Sequence, residues 1–195
     1  MKSVLISIQP KWVEKIVKGE KTIEVRKSRP KIETPFKCYI YCTKDKYEWL
    51  YRVDNNGYGK PQSWHGKVIG EFVCNKIYTY YADDFVGAED FDGTIITEPK
   101  EGEFAYWIPN QEDTCLRYLG IKAYGKGKTL YGWHISNLKI YDKPKELSDF
   151  YKPCPTEQKG NCYGCYYLAD RDYGGICVNN LTRPPQSWQY VEVDV

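Results

Sequence analysis

Short runs of β-branched and aromatic residues recur along this chain between turn-forming residues, and that rhythm restricts the fold more than any other feature. The runs are Leu5 to Ile8, Lys21 to Arg26, Phe36 to Cys42, Val68 to Ile77, Glu103 to Ile108, Thr129 to Tyr141 and Ser187 to Val193. Their number suits a small mixed β-barrel. The chain's 195 residues fit one domain with an insertion more easily than two full domains. One helix interrupts the strands early: Pro10 suits a first helical turn, Trp12, Val13, Ile16 and Val17 share an apolar stripe, and Gly19 supplies the stop. The fold class expected is α+β, a barrel with flanking helices.

Two stretches break the rhythm. From Tyr78 to Gly102 the chain is acidic and weakly patterned, which reads as a long surface excursion. From Lys143 to Pro185 it carries Pro, Gly and half of the cysteines without periodicity, which reads as an insertion before the last strand, held by something other than an apolar core.

Charge is nearly balanced overall, with 28 Lys and Arg against 26 Asp and Glu, so composition alone does not argue for a polyanionic partner. Its distribution does. Residues 1–31 hold nine basic and three acidic side chains, whereas residues 83–113 hold ten acidic side chains and Lys100. Only one side of such a surface attracts a phosphate backbone. No apolar stretch approaches the roughly 20 residues of a membrane span, and the N-terminal apolar run is too short for a signal peptide, so a cytoplasmic protein with no membrane partner is expected.

Eight cysteines in that reducing compartment favour packing or metal ligation over disulfides. Cys154, Cys162, Cys165 and Cys177 form Cys-x7-Cys-x2-Cys-x11-Cys, a set suited to one tetrahedral structural zinc; an iron–sulfur cluster and unliganded thiols are the alternatives. Cys38, Cys42, Cys74 and Cys115 read as small buried hydrophobes. The two histidines, His65 and His134, are too few for a histidine-based metal site or a Ser-His-Asp hydrolase, and each reads as a hydrogen-bonded structural residue. Gly125-Lys126-Gly127-Lys128-Thr129 lacks the leading glycine of a phosphate loop, since Lys122 stands there.

The densest chemistry lies in Gly19-Glu20-Lys21-Thr22-Ile23-Glu24-Val25-Arg26. Alternation puts Ile23 and Val25 on one face and Thr22, Glu24 and Arg26 on the other, so the strand presents a carboxylate and a guanidinium beside Lys21 at a cleft edge. Glu24 can accept from an exocyclic amine, Arg26 can hold a phosphate in a bidentate fork, and Lys21 can act as a point charge or proton-transfer group. A surface salt-bridge ladder is the competing reading. Trp12, Trp64 and Trp133 are the stacking candidates.

Leu5-Ile6-Ser7-Ile8-Gln9-Pro10-Lys11-Trp12, the Gly19 to Arg26 run and Gly66-Lys67-Val68-Ile69-Gly70-Glu71-Phe72 together resemble the ASCH (activating signal cointegrator homology) domain of the PUA-like superfamily, of the phage-associated and bacterial type. The likeness covers most of residues 1–77 and returns in the terminal strands. It implies a β-barrel with a cleft beside the first helix, and binding of RNA or a nucleotide-like ligand. Some ASCH-like proteins are instead amidohydrolases of modified cytidines that use a lysine, a threonine and a glutamate. By that resemblance Lys21 matches the lysine, Glu24 stands where the threonine is expected, and Glu71 is a looser analogue of the glutamate. An enzyme, amidohydrolase or ribonuclease, with Lys21, Glu24 and Glu71 as its catalytic residues is therefore the alternative to a binding module. A third reading is a protein-interaction module that docks through the zinc insertion.

Overall fold

A computed structural model describes residues 3–44, 51–52, 62–80, 88–89, 110–116, 118–153 and 179–193. The elements in chain order are β1 (Ser3–Ile8), α1 (Pro10–Val17), β2 (Ile23–Arg26), β3 (Phe36–Cys42), β4 (Tyr51–Arg52), β5 (Gln62–Ser63), β6 (Lys67–Cys74), β7 (Ile77–Tyr80) and β8 (Ala88–Glu89). After these come α2 (Gln111–Thr114), α3 (Tyr118–Gly125), β9 (Leu130–His134), β10 (Ser136–Lys145), a 3-10 turn at Leu147–Asp149, β11 (Phe150–Tyr151) and β12 (Trp188–Val193). The class is α+β, strand-rich with few helices, as the strand rhythm predicts.

The chain divides into two compact units, each discontinuous in sequence. The first holds residues 1–10, 37–71 and 140–195 and is built on the six-stranded sheet ordered β10-β6-β3-β1-β12-β11. Strand β1 lies at its middle, parallel to β3, with Val4 opposite Cys38 and Ile8 opposite Cys42, and antiparallel to β12, with Ser3 opposite Val191. All six β1 residues are buried, because apolar groups cover both faces of this sheet, and so it reads as a continuous apolar run rather than an alternating one. Leu5, Tyr39, Tyr41, Val68, Phe150, Leu181 and Val191 form its core, with Tyr39 packed edge-on to Phe150 at 5.0 Å between ring centroids.

The second unit holds residues 11–36 and 72–139 around the antiparallel sheet β2-β9-β7-β8. Val25, Tyr80, Ile121 and Leu130 pack together there, with Tyr78 and Leu116 against them. Gly132 lies in this sheet where space runs out: a Cβ would come within 2.8 Å of both Ile23 Cγ2 and Tyr80 Cε2.

Several sequence expectations are modified. The run Val68 to Ile77 is two strands, broken at Asn75 and Lys76, and the second continues to Tyr80. Thr129 to Tyr141 also breaks, at Ile135: its N–H continues the β2–β9 register by donating to the Thr22 carbonyl at 2.7 Å, and from Ser136 the chain enters the six-stranded sheet as β10. The flanks of the expected 143–185 insertion join the first unit instead of standing apart. β10 runs through Lys145, β11 pairs with β12, Leu181 N donates to the Phe150 carbonyl at 2.7 Å, and both residues are core members. Helices α2 and α3 lie where no periodic pattern pointed to a helix. The run Glu103 to Ile108, most of the acidic excursion, and Cys154, Cys162, Cys165 and Cys177 lie outside the described residues. No helix among the described residues is long and apolar enough to cross a membrane.

Cys38, Cys42 and Cys74 are fully buried, as expected, and burial pushes the Cys74 thiol up to about 12. Cys115 is only half-buried, with its Sγ directed at the Glu20 carbonyl at 3.2 Å.

Candidate functional site

Helix α1 ends because Gly19 takes a left-handed φ of 74° that costs glycine nothing. The chain reverses there, and the N–H groups of Glu20 and Lys21 both donate to the Lys15 carbonyl, at 2.9 and 3.2 Å. This turn delivers Lys21 to the entrance of β2, where the cap of α2 meets it. Thr22 N and Oγ1 donate to the Asp113 carbonyl and carboxylate at 2.9 and 2.6 Å.

The Lys21 ammonium donates to the carbonyls of Thr114 and Ile23, at 2.6 and 2.8 Å. It also lies 3.5 Å from Glu24 Oε2, while Glu24 Oε1 accepts Arg26 Nη2 at 3.0 Å. One carboxylate is thus held between two cations. The alternation expected of β2 is present, with Ile23 and Val25 in the core and Glu24 and Arg26 joined on the other face. The charged face is covered as well: Lys21, Glu24 and Arg26 are only 3, 5 and 8 % exposed. This burial is inconsistent with a surface salt-bridge ladder, which owes its weakness to exposure.

Burial is the largest influence on Lys21 and pulls its pKa below 10.5, with the Glu24 carboxylate pushing back. The half-buried Trp12 ring lies 5.2 Å from the Lys21 ammonium, a cation–π contact that helps replace lost water. Tyr124 borders the same charges; its phenol is raised above 10.0, chiefly by burial, with Arg26 acting in the opposite direction.

The other predicted residues lie elsewhere. Trp133 sits opposite Glu24 in the β2–β9 register but is fully buried, its ring edge-on to Phe36 at 5.8 Å. Trp64 is 4 % exposed and belongs to the first unit. Glu71, also of the first unit, accepts Lys37 Nζ at 3.1 Å and the Tyr141 hydroxyl at 2.6 Å. Burial and that carboxylate raise the Tyr141 phenol far above its ordinary value. His134 is hydrogen-bonded as expected, Nδ1 lying 2.6 Å from Asn75 Oδ1. The Lys126-Gly127 turn follows the C-terminus of α3, where helix carbonyls rather than amides point outward, so it is poorly placed to cradle phosphate.

Sequence reasoning missed a groove immediately beyond Arg26. Residues 27–34 line it together with Ile77 and Tyr131, around a volume of about 550 Å³. Tyr131 stands opposite Arg26 in the β2–β9 register, and the Arg29 guanidinium lies 5.8 Å from its ring centroid. The Lys27 ammonium lies 4.9 Å from the Tyr124 ring. The available signal was the density of Lys27, Arg29 and Lys31 directly after the β2 motif.

The ASCH domain family matches residues 6–109. No curated protein is similar at a significant level. Among solved structures, an ASCH protein from Zymomonas mobilis shares 16 % identity at a TM-score of 0.52, covering 97 % of this chain and 87 % of its own. A tyrosine-to-phenylalanine variant of an ASCH protein from the same organism aligns at 16 % identity and a TM-score of 0.51, over 98 % and 91 %. At these identities the likeness is one of fold. With more than half of the chain, including the whole β2 motif, inside the family match, and the same fold across nearly its full length, this protein belongs to the ASCH domain family of PUA-like modules.

Proposed function

We propose that this ASCH module binds single-stranded RNA or a nucleotide-like ligand at the β2 cluster near α1. The observation that carries the reading is the burial of Lys21, Glu24 and Arg26 as one cation–carboxylate–cation set. A buried ion set of this kind is weak as a stabilising device, since apolar residues of similar volume generally serve as well. A desolvated lysine beside a carboxylate is, by contrast, a frequent mark of a functional site. ASCH domains are generally RNA-binding modules, which supplies the ligand class.

In this reading Arg26 offers its fork to a phosphate, Glu24 accepts from a base amine, and Lys21 positions Glu24 from behind. Trp12 is the stacking residue best supported of the three, because Trp64 and Trp133 have almost no exposed surface. The depressed Lys21 pKa favours an enzyme as the second reading, with Lys21 as general base and Glu24 or Glu71 as its partner. Against it, the Lys21 protons already face two carbonyls and a carboxylate, an arrangement that suits the ammonium. For Cys154, Cys162, Cys165 and Cys177 we retain the proposal of one structural zinc, which the thiolate donor set suits; a protein partner docking on that segment is the third reading.

The test is titration of labelled single-stranded RNA and modified nucleosides with wild type and Arg26→Lys, followed by analysis of the recovered RNA and nucleosides. Arg26→Lys keeps the charge and removes the fork, so binding should weaken about tenfold with an unchanged melting curve. Full affinity in the variant refutes the Arg26 assignment, and a cut strand or altered nucleoside moves the case to the enzyme.

A further inference from the structure

We propose that the groove formed by residues 27–34 with Ile77 and Tyr131 is a second contact region, a channel for the phosphodiester backbone of a single strand with one base stacked at Tyr131. It rests on the reading that the chain binds nucleic acid, and it can fail while that reading stands.

Four observations carry it. The lining holds Lys27, Arg29 and Lys31 against Glu33 as its one carboxylate, so the groove is net positive in a chain whose overall charge is nearly balanced. Pro30 is buried while Lys27, Ser28, Arg29 and Lys31 are exposed, so the proline anchors the segment and the three cations stand on the solvent side. The groove also has an apolar and aromatic part, with buried Ile77, half-buried Ile32 and the half-buried ring of Tyr131. A groove for free anions has no use for that surface, whereas base faces do. Finally, the Arg29 guanidinium against the Tyr131 ring forms a cation–aromatic pair that a base can extend, as bases stack on aromatic rings and on guanidinium planes.

Its size agrees: about 550 Å³ falls inside the roughly 300–1,000 Å³ of small-ligand sites, enough for one nucleotide and its flanking phosphates. Its place agrees too. Tyr131 faces Arg26 across β2 and β9, so the groove begins where the buried cluster ends. A strand whose base or phosphate engages Arg26 would continue along residues 27–34.

The experiment is salt-dependent binding of a labelled 12-nucleotide RNA single strand to the full chain. It compares wild type, Arg26→Lys, the triple variant Lys27→Ala/Arg29→Ala/Lys31→Ala, Tyr131→Leu, and a control triple variant Lys139→Ala/Lys143→Ala/Lys152→Ala. The control removes three exposed lysines outside the groove. Each lost phosphate contact should reduce the slope of log affinity against log salt by about 0.7, so the groove triple variant should lose about 2 in slope and about 10- to 100-fold in affinity. Tyr131→Leu should lose roughly tenfold with the slope unchanged, and the control should keep the wild-type slope. A groove triple variant with wild-type affinity and slope, alongside a weakened Arg26→Lys, overturns the channel and leaves the cluster reading intact. Equal competition by poly-glutamate of matched charge overturns it in favour of an acidic peptide. Absence of any RNA binding by wild type overturns both.

Discussion

Replacing Lys21 by Met tests what the buried ammonium does for the fold. The side chain is 2 % exposed, and the substitution leaves the Ile23 and Thr114 carbonyls without their donor while Glu24 keeps Arg26 at 3.0 Å. A buried acceptor left unsatisfied costs about 1–3 kcal/mol. Relief from desolvating an ammonium offsets part of the two losses, so the net destabilisation should be about 2–4 kcal/mol. For a chain of this size that lowers the melting temperature by roughly 5–15 °C.

The pH dependence is the sharper signature. The folded Lys21 titrates below 10.5, its ordinary value in the unfolded chain, so between those two pKa values the unfolded chain holds a proton that the folded chain has released. Raising pH through that window therefore stabilises the folded wild type, and the contribution is complete above 10.5. Cys74 acts in the opposite sense. Its thiol is held at about 12 against 9.0, so the folded chain keeps a proton that the unfolded chain loses, and stability falls as pH rises through that range. The Cys74 contribution is common to wild type and Lys21→Met and cancels in their difference. Urea unfolding at intervals from about pH 8 to about pH 10 should show the wild-type advantage growing with pH. A difference that stays flat or shrinks would refute the assignment of burial as the dominant influence on Lys21, and a loss under about 1 kcal/mol would refute the hydrogen-bond argument.

Two further outcomes test packing and metal. Gly132→Ala should destabilise by about 1–3 kcal/mol in urea unfolding, because its new methyl meets Ile23 and the fully buried Tyr80 ring, neither of which has room to withdraw; a neutral result would show that β9 shifts freely. Purified protein should hold about one zinc per chain by elemental analysis, with thiols of Cys154, Cys162, Cys165 and Cys177 becoming reactive only after chelation. Metal-free protein in which these four thiols react at once would remove the zinc.

The parts of the fold legible in the sequence are those whose signals are local. Pro10 and Gly19 bracket α1, Val13 and Ile16 are its buried stripe, and the β2 alternation assigns Ile23 and Val25 to the core. The break at Ile135 was not legible, because it marks where one apolar run passes from the β2–β9 ladder, which Ile135 still extends through the Thr22 carbonyl, to β10 of the six-stranded sheet, and both partners are far away in the chain. Helix α3 gave little sign of itself, since among its described side chains Ile121 alone is fully buried and Gly120 interrupts any stripe.

Alternation decides which side chains share a face; it is silent on whether that face is covered. Lys21, Glu24 and Arg26 read as a cleft edge because nothing within the motif hides them. Their cover includes the carbonyl of Thr114, 93 positions later in the chain, and the aromatic ring of Trp12. The basic segment after Arg26 shows the same limit from the other side. Its charge is plain in the sequence, but a run of lysine and arginine is usually a solvated face. It becomes a groove only through Ile77 and Tyr131, which reach it from β7 and β9. A charged motif therefore acquires its dielectric from distant residues, and that dielectric separates the buried ion set from the open cationic channel beside it. Two sites with different physics follow from one stretch of sequence. Removing a charge from the buried set should register in folding and pH, whereas removing the groove's cations should register in salt dependence and leave stability unchanged.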